Sequence, residues 1–305
     1  MSFTTNIKNE ITPIQYSKTE SIAELSAISN IGSKIEKNGF VIHTENLSVA
    51  RHIYQLIKDL YHIEVKIEKK TINRLNRNHM ISLHVSEADK SILKDLSIIN
   101  DNNKRMYIPE EFITDSEEEI KAYLRGVFLI CGSINDPKTS RYHAEFIINN
   151  KKTAYYVLSL FNSLNFNSKI LKREKNYMVY IKESEKISDF IKLLNAYNSL
   201  FYYEDIRIYR DHKNMTNRLN NCEQANADKI VSSSNEQLEN IIKLKELKDF
   251  DLLDIRIQEI CTYKEKYPDS SMAELAEIMS YETGKSITKS GINHRFRKIK
   301  ELINK

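Results

Sequence analysis

Apolar residues recur at helical spacing through residues 20–36, where Ile22, Leu25, Ile28, Ile31 and Ile35 line up and Gly32 stands near the end. The pattern returns at 117–134, with Ile120, Leu124, Val127, Phe128, Cys131 and Ile134. This second run contains the most apolar stretch of the chain, LRGVFLICGSIND (124–136), in which Gly126 and Gly132 both occur. Glycine in a helix interior costs about 1 kcal/mol against alanine. Two of them in so apolar a helix predict backbone-to-backbone packing against a twin, residues 20–36.

The segments after each helix also repeat. After the first come FVIHTE (40–45), an amphipathic run with Leu47, Ala50, Ile53, Tyr54, Ile57 and Leu60, then EVKIEKK (64–70), HMISLHV (79–85) and Ala88–Leu96. After the second come YHAEFII (142–148), a run with Val157, Leu158, Phe161 and Leu164, then FNSKILK (166–172), YMVYIK (177–182) and Ile187–Leu194. Both copies read as α-β-α-β-β-α. Internal duplication outranks local guesses about fold, so the chain is read as α+β with pseudo-two-fold symmetry over residues 1–200, its halves at about 17–100 and 115–200.

A basic hairpin joins the last two strands of each copy. KIEKKTINRLNRNH (66–79) carries Lys66, Lys69, Lys70, Arg74 and Arg77 against Glu68, and KILKREK (169–175) carries Lys169, Lys172, Arg173 and Lys175 against Glu174. Hairpins at matching positions suit the phosphates of a duplex. Lys69, Lys70, Arg74, Arg77, Lys172 and Arg173 are the expected backbone or partner contacts. A single basic hairpin also serves simply to keep a sheet edge solvated.

Residues 204–246 contain no proline or glycine and predict a helical linker, as one long helix or two stacked ones. Arg207, Arg210, Asn214, Asn217, Arg218 and Asn221 fall on one stripe, while Ile208, Met215, Leu219 and Cys222 fall on another face that can pack on a neighbour. Arginine grips phosphate bidentately, so the polar stripe suits phosphate or an acidic partner.

An all-α unit of helix, short helix, turn and helix is expected at 249–305. Leu252–Tyr263 is amphipathic and Pro268 follows it; Ser271 and Glu274 form a capping box ahead of Leu275, Ile278 and Met279; a turn at Gly284 precedes TKSGINHRFRKIKELI (288–303). In the last helix Ile292, Phe296 and Ile299 mark the buried face. Lys289, Ser290, Asn293, His294, Arg295, Arg297 and Lys298 are the candidate DNA contacts of a helix-turn-helix at 271–303. Asn293 and Arg297 have the donors and acceptors for base edges, and Lys289, Arg295 and Lys298 suit phosphates.

Charge sharpens that reading. The chain's net +4 says little, but residues 249–284 carry nine acids against three bases, and residues 285–305 carry seven bases against one acid. A scaffold presenting one basic element accounts for such a switch. Composition is that of an ordinary soluble protein, 41% hydrophobic and 29% charged. No apolar run approaches the ~20 residues of a membrane span, and no signal peptide opens the chain. Cys131, Cys222 and Cys261 lie far apart without a CxxC, so neither disulfides nor a metal or cofactor site is indicated. A reducing cytoplasm is the expected location.

The duplicated pattern resembles the LAGLIDADG homing endonuclease fold, α-β-β-α-β-β-α per half. More specifically, LRGVFLICGSINDP (124–137), RDHKNMTNRLNNCEQANADK (210–229) and KSGINHRFRKI (289–299) resemble the WhiA family of bacterial transcription regulators. That resemblance implies a LAGLIDADG-like domain followed by a helix-turn-helix, double-stranded DNA as partner, and a nucleoid-associated role in cell division and chromosome segregation, or in sporulation where the organism sporulates. Active homing enzymes hold catalytic divalent metals with an acid near the end of each opening helix. Here those positions fall on Gly32 and Cys131. The expectation is therefore no enzyme, no small-molecule substrate and no nuclease activity. The competing readings are a residual endonuclease using Asp136, and an adaptor whose duplicated domain binds another regulator protein.

Overall fold

The computed structural model describes residues 1–73, 78–86, 90–139, 141–247 and 249–304. Arg74 and Arg77, two of the expected hairpin contacts, lie outside the described residues. The described chain forms two compact units, Met1–Arg210 and Asp211–Lys305.

The first unit opens with α1 (Phe3–Ile11), which buries Phe3, Ile7 and Ile11 at i, i+4 spacing and is capped by the Ser2 hydroxyl. The first copy comprises α2 (Lys18–Gly32), β1 (Ser33–Glu36), β2 (Gly39–Thr44), α3 (Leu47–Tyr61), β3 (Val65–Asn73), β4 (Asn78–Ser86) and the single turn α4 (Ser91–Asp95). The second comprises α5 (Glu117–Cys131), β5 (Gly132–Ile134), β6 (Ala144–Ile148), α6 (Lys151–Ser163), β7 (Lys169–Lys172), β8 (Tyr177–Ile181) and α7 (Ser184–Leu193). The antiparallel sheets have equivalent orders, β1-β2-β4-β3 and β5-β6-β8-β7. Strands β1 and β5 begin where α2 and α5 stop and run only four and three residues. That is too short for an alternation signal, and the residue pattern alone does not reveal them.

The copies obey the same local chemistry. Ser17 with Glu20 and Ser116 with Glu119 close capping boxes on α2 and α5. Asn46 and Asn150 cap α3 and α6, each accepting from the amides two and three residues on. The long helices α2 and α5 pack against each other at the centre of one core that both sheets and their helices share.

Gly126 sets the approach of α2 and α5. A Cβ there would stand 2.4 Å from the Glu24 carbonyl oxygen and 2.9 Å from Ala27 Cβ. Gly132 differs from its expected role: a Cβ there would meet Phe128 of its own helix at 2.4 Å, so this glycine closes the last turn of α5 rather than admitting the twin.

Helix α8 (Tyr197–Leu247) carries the chain out of the first unit and into the second. In the second unit α9 (Ile255–Lys266), α10 (Met272–Thr283) and α11 (Lys289–Ile303) share a core of Ile257, Ile260, Cys261, Leu275, Met279, Ile292, Phe296 and Ile299. Ile241 and Leu244 from the end of α8 are buried in the same core. The last turns of α8 thus act as a further helix of this unit, where the sequence predicts a linker up to residue 246. Residues 211–232 are exposed all round, so Met215 (63% exposed) and Leu219 (54%) do not pack on a neighbour as the apolar face suggests.

Candidate nucleic-acid interface

Helix α11 is built as a presented element. Gly284, at φ +66°, ends α10 in the left-handed region that glycine adopts without cost. Thr288 then caps α11, its hydroxyl accepting the Gly291 amide at 3.2 Å. With Ile292, Phe296 and Ile299 buried, Lys289, Ser290, His294 and Arg297 face solvent, and Asn293 is half-buried beside them.

Two expected contacts are placed differently. Arg295 is 17% exposed and turns back to the Glu259 carboxylate and the Arg256 carbonyl, both at 3.5 Å. Its ion pair uses the acidic helix α9, which removes it from the presented face. Lys298 lies 3.7 Å from Asp254 in an exposed pair worth little in water. Asp254 caps α9; the Arg256 amide and, after it, Lys298 hold its carboxyl below the usual range.

The outer faces of the two sheets are alike in backbone and unlike in charge. Across the first sheet, β3 and β4 pair Lys66 with His84, Glu68 with Ser82 and Lys70 with Met80. Lys66, Lys70 and His84 gather round Glu68 at 3.0, 3.8 and 3.6 Å, and Lys66 above all holds that carboxyl below its usual range. Lys34 and His43 complete this face. Lys69 pairs with the buried Ile81, so strand alternation sends it to the opposite side.

On the second sheet Lys169 aligns with Tyr180 and Glu145, while Lys172 aligns with Tyr177 on the other face. Arg173 pairs with Glu145 at 3.5 Å, and His143 Nε2 lies 3.3 Å from the same carboxylate. Ile147, Met178 and Leu171 form the next row. Of the expected contacts here, Lys172 therefore faces away and Arg173 is partly spent.

The arginine stripe of α8 also divides. Arg207 is held by Glu204 at 2.7 Å and Glu185 at 3.4 Å. Arg210 donates to the Pro137 and Thr139 carbonyls at 2.7 and 2.5 Å and lies over the Tyr142 ring. Both side chains are engaged by groups of the first unit. Asn214, Asn217, Arg218 and Asn221 are exposed on the second.

The ends of α2 and α5, where the fold's metal-binding acids would stand, carry cations instead. Arg105 donates to the Asn30 carbonyl at 2.8 Å, a group in the last turn of α2 that lacks an intrahelical partner, and at 3.4 Å to the Ser29 carbonyl, which also accepts the Ser33 amide. Lys8 of α1 lies 5.4 Å from the centre of the Phe128 ring; burial lowers its pKa to about 8, against the opposing pull of Cys131 and Glu45. Burial pushes the Cys131 thiol up to about 12. A neutral thiol, a glycine and two cations do not fit a divalent metal, which needs oxygen ligands. Asp136 is engaged as a turn residue, accepting the Lys138 amide at 2.9 Å and the Tyr202 hydroxyl at 3.2 Å.

One cluster has no signal in the sequence. Glu24 of α2, fully buried, accepts Arg125 Nε of α5 and pairs with His52 Nε2 of α3, each at 2.7 Å. The Arg125 guanidinium stacks 3.3 Å above the Tyr16 ring. Burial alone would raise the Glu24 pKa, but Arg125 and His52 outweigh it and hold the carboxyl below its usual range. This ion pair joins residues about a hundred positions apart, and no local pattern announces it.

A duplicated LAGLIDADG-like domain followed by a helix-turn-helix unit is the class of protein that this fold and α11 define. Three family descriptions match along the chain: the WhiA N-terminal LAGLIDADG-like domain at 18–99, the WhiA LAGLIDADG-like domain at 120–213 and the WhiA C-terminal HTH domain at 216–303. The chain belongs to the WhiA family. It is 37% identical to a probable cell division protein WhiA of Bacillus cereus (strain B4264) and 39% identical to one of Staphylococcus aureus (strain JH9), in each case over 100% of this chain and 97% of the relative. A crystal structure of full-length DUF199/WhiA from Thermatoga maritima shares the fold, with a TM-score of 0.59 and 21% identity over 100% of this chain and 98% of that one. No helix among the described residues is long and apolar enough to cross a membrane.

Proposed function

We propose that the chain is a sequence-specific, double-stranded-DNA-binding transcription regulator that does not cleave DNA and acts at the nucleoid in cell division and chromosome segregation. The observation that carries this reading is the solvent face of α11, where Lys289, Ser290, Asn293, His294 and Arg297 stand together on a capped, well-packed helix. Asn293 and Arg297 read base edges in the major groove, and Lys289 holds a phosphate. The open face of the first sheet, with Lys34, Lys66 and Lys70, adds sequence-independent contacts. The cations at the ends of α2 and α5 support the absence of cleavage. The probable cell division role of the relatives supports the biological setting.

Genome-wide mapping of bound sites, followed by gel shifts on the enriched sequence, tests the reading. Arg297→Ala, at an exposed position, should weaken the specific complex by about 1–3 kcal/mol and relax specificity at one base pair. Specific binding that survives deletion of residues 249–305 sinks it. Nicking of supercoiled plasmid with Mg²⁺, abolished by Asp136→Ala, would restore the endonuclease reading.

A further inference from the structure

A groove of about 910 Å³ runs along one face of α3 in the first unit, walled on its other side by the α1–α2 connection. Sites for small organic ligands occupy roughly 300–1,000 Å³. Arg51 and Lys18 border the groove and make no ion pair or hydrogen bond among the described residues. The acid of the lining, Asp59, accepts Gln55 Nε2 at 2.7 Å and forms no ion pair with either cation among the described residues, which leaves two cations against one carboxylate. Tyr16 and Leu56 line the same groove and supply aromatic and apolar surface. Uncommitted cations and aromatic surface in one groove match a planar base carrying phosphates: guanidinium binds phosphate oxygens through paired N–H groups, and the ring offers a stacking surface.

The groove also reaches the centre of the domain. His52, whose side chain is 8% exposed, lines it and bonds Glu24; Tyr16 lines it and lies beneath Arg125. An occupant that touches Tyr16 and His52 touches both side chains bracing the Glu24–Arg125 pair between α2 and α5. We propose that this groove binds a nucleoside di- or triphosphate, with Arg51 and Lys18 on the phosphates and Tyr16 and Leu56 on the base. Occupancy stiffens the α2–α5 junction through His52 and Tyr16.

Calorimetric titration of the full chain with ATP and GTP, and separately with adenosine and pyrophosphate, tests this. Arg51→Glu and Lys18→Glu lie at exposed positions, and unfolding curves check that both variants remain folded. The expected result is one-to-one binding of ATP or GTP, weakened about tenfold or more by Arg51→Glu and by each of the partial probes. Hydrogen exchange should slow in α3 and residues 13–21 when nucleotide is added. Binding of neither nucleotide overturns the proposal. So does nucleotide binding that both variants leave unchanged, which places the anion elsewhere, and so does pyrophosphate binding as tightly as ATP, which removes the base from recognition.

Discussion

Replacing Gly126 by alanine sets two physical effects against each other. On a solvent-exposed helix the change gains about 1 kcal/mol. Here the new methyl carbon would stand 2.4 Å from the Glu24 carbonyl oxygen and 2.9 Å from Ala27 Cβ. Ordinary contacts between such atoms begin near ~3.5 Å, so α2 and α5 must separate by about 1 Å. A backbone carbonyl and a Cβ have no rotamer to escape into. The separation is felt by Ala27, Ile28, Leu124 and Val127, all within 1% of full burial. Overpacking costs about 1–3 kcal/mol, and a backbone obstruction belongs at the upper end. The net loss after the propensity gain is about 2 kcal/mol, or roughly 4–8 °C in the Tm of a unit of this size. Thermal and urea unfolding followed by circular dichroism resolve it, with Gly284→Ala as the comparison. That site has φ +66° and open space within 4 Å, so its cost of about 1 kcal/mol is conformational and falls on the second unit. A Gly126→Ala protein as stable as the parent would refute the close approach of α2 and α5.

Other consequences are as direct. Arg125→Met strands the Glu24 carboxylate and should cost about 3–5 kcal/mol in denaturant unfolding, and adding Glu24→Gln should recover part of the loss. Because the Glu24 pKa is depressed in the fold, its contribution is present above the ordinary carboxylate range and fades as pH falls through the depressed value; the double variant should be less acid-sensitive. Lys8 has the opposite linkage: with its pKa near 8 in the fold against 10.5 in the unfolded chain, the unfolded state holds the extra proton between those values and stability rises with pH across that window. Lys8→Met should flatten that rise and stabilise the protein at pH 7, by at most on the order of 3 kcal/mol. In salt titrations of DNA binding, Lys70→Ala should lower the slope by about 1, and Lys69→Ala, on the other face of β3, should leave it nearly unchanged. Equal effects would show that strand alternation does not decide which lysine meets the duplex.

The elements legible in the sequence are those whose stability is local. The capping box at Ser271, the apolar periodicity of α2 and α5, and the buried face Ile292–Phe296–Ile299 are all visible there, because caps and helical faces are written within a few residues. So is the duplication, since each copy has to preserve the same caps and strands. The arrangement of charges is not legible. Lys69 and Lys70 are neighbours in sequence and opposites on the sheet, and only the β3–β4 register decides which faces out. Arg210 and Arg295 read as free cations until the fold brings the Pro137 carbonyl and Glu259 to them, and the fold adds Glu185 to the local partner Glu204 of Arg207. The Glu24–Arg125–His52 cluster depends on three helices meeting and has no signature in any one of them. Helix α1, by contrast, is absent from the expected elements although Phe3, Ile7 and Ile11 carry the right spacing.

The cations at the ends of α2 and α5 also decide what an acid placed there would meet. A divalent ion at either helix end would need oxygen ligands and negative charge around it. Here Arg105 has become part of the cap of α2, and Lys8 is packed against α5. An acid introduced at Gly32 or at Cys131 would therefore stand near a resident cation, Arg105 or Lys8. A lone carboxylate there would pair with that cation before it met a metal. The two helix ends are thus built to favour an internal ion pair over a bound metal.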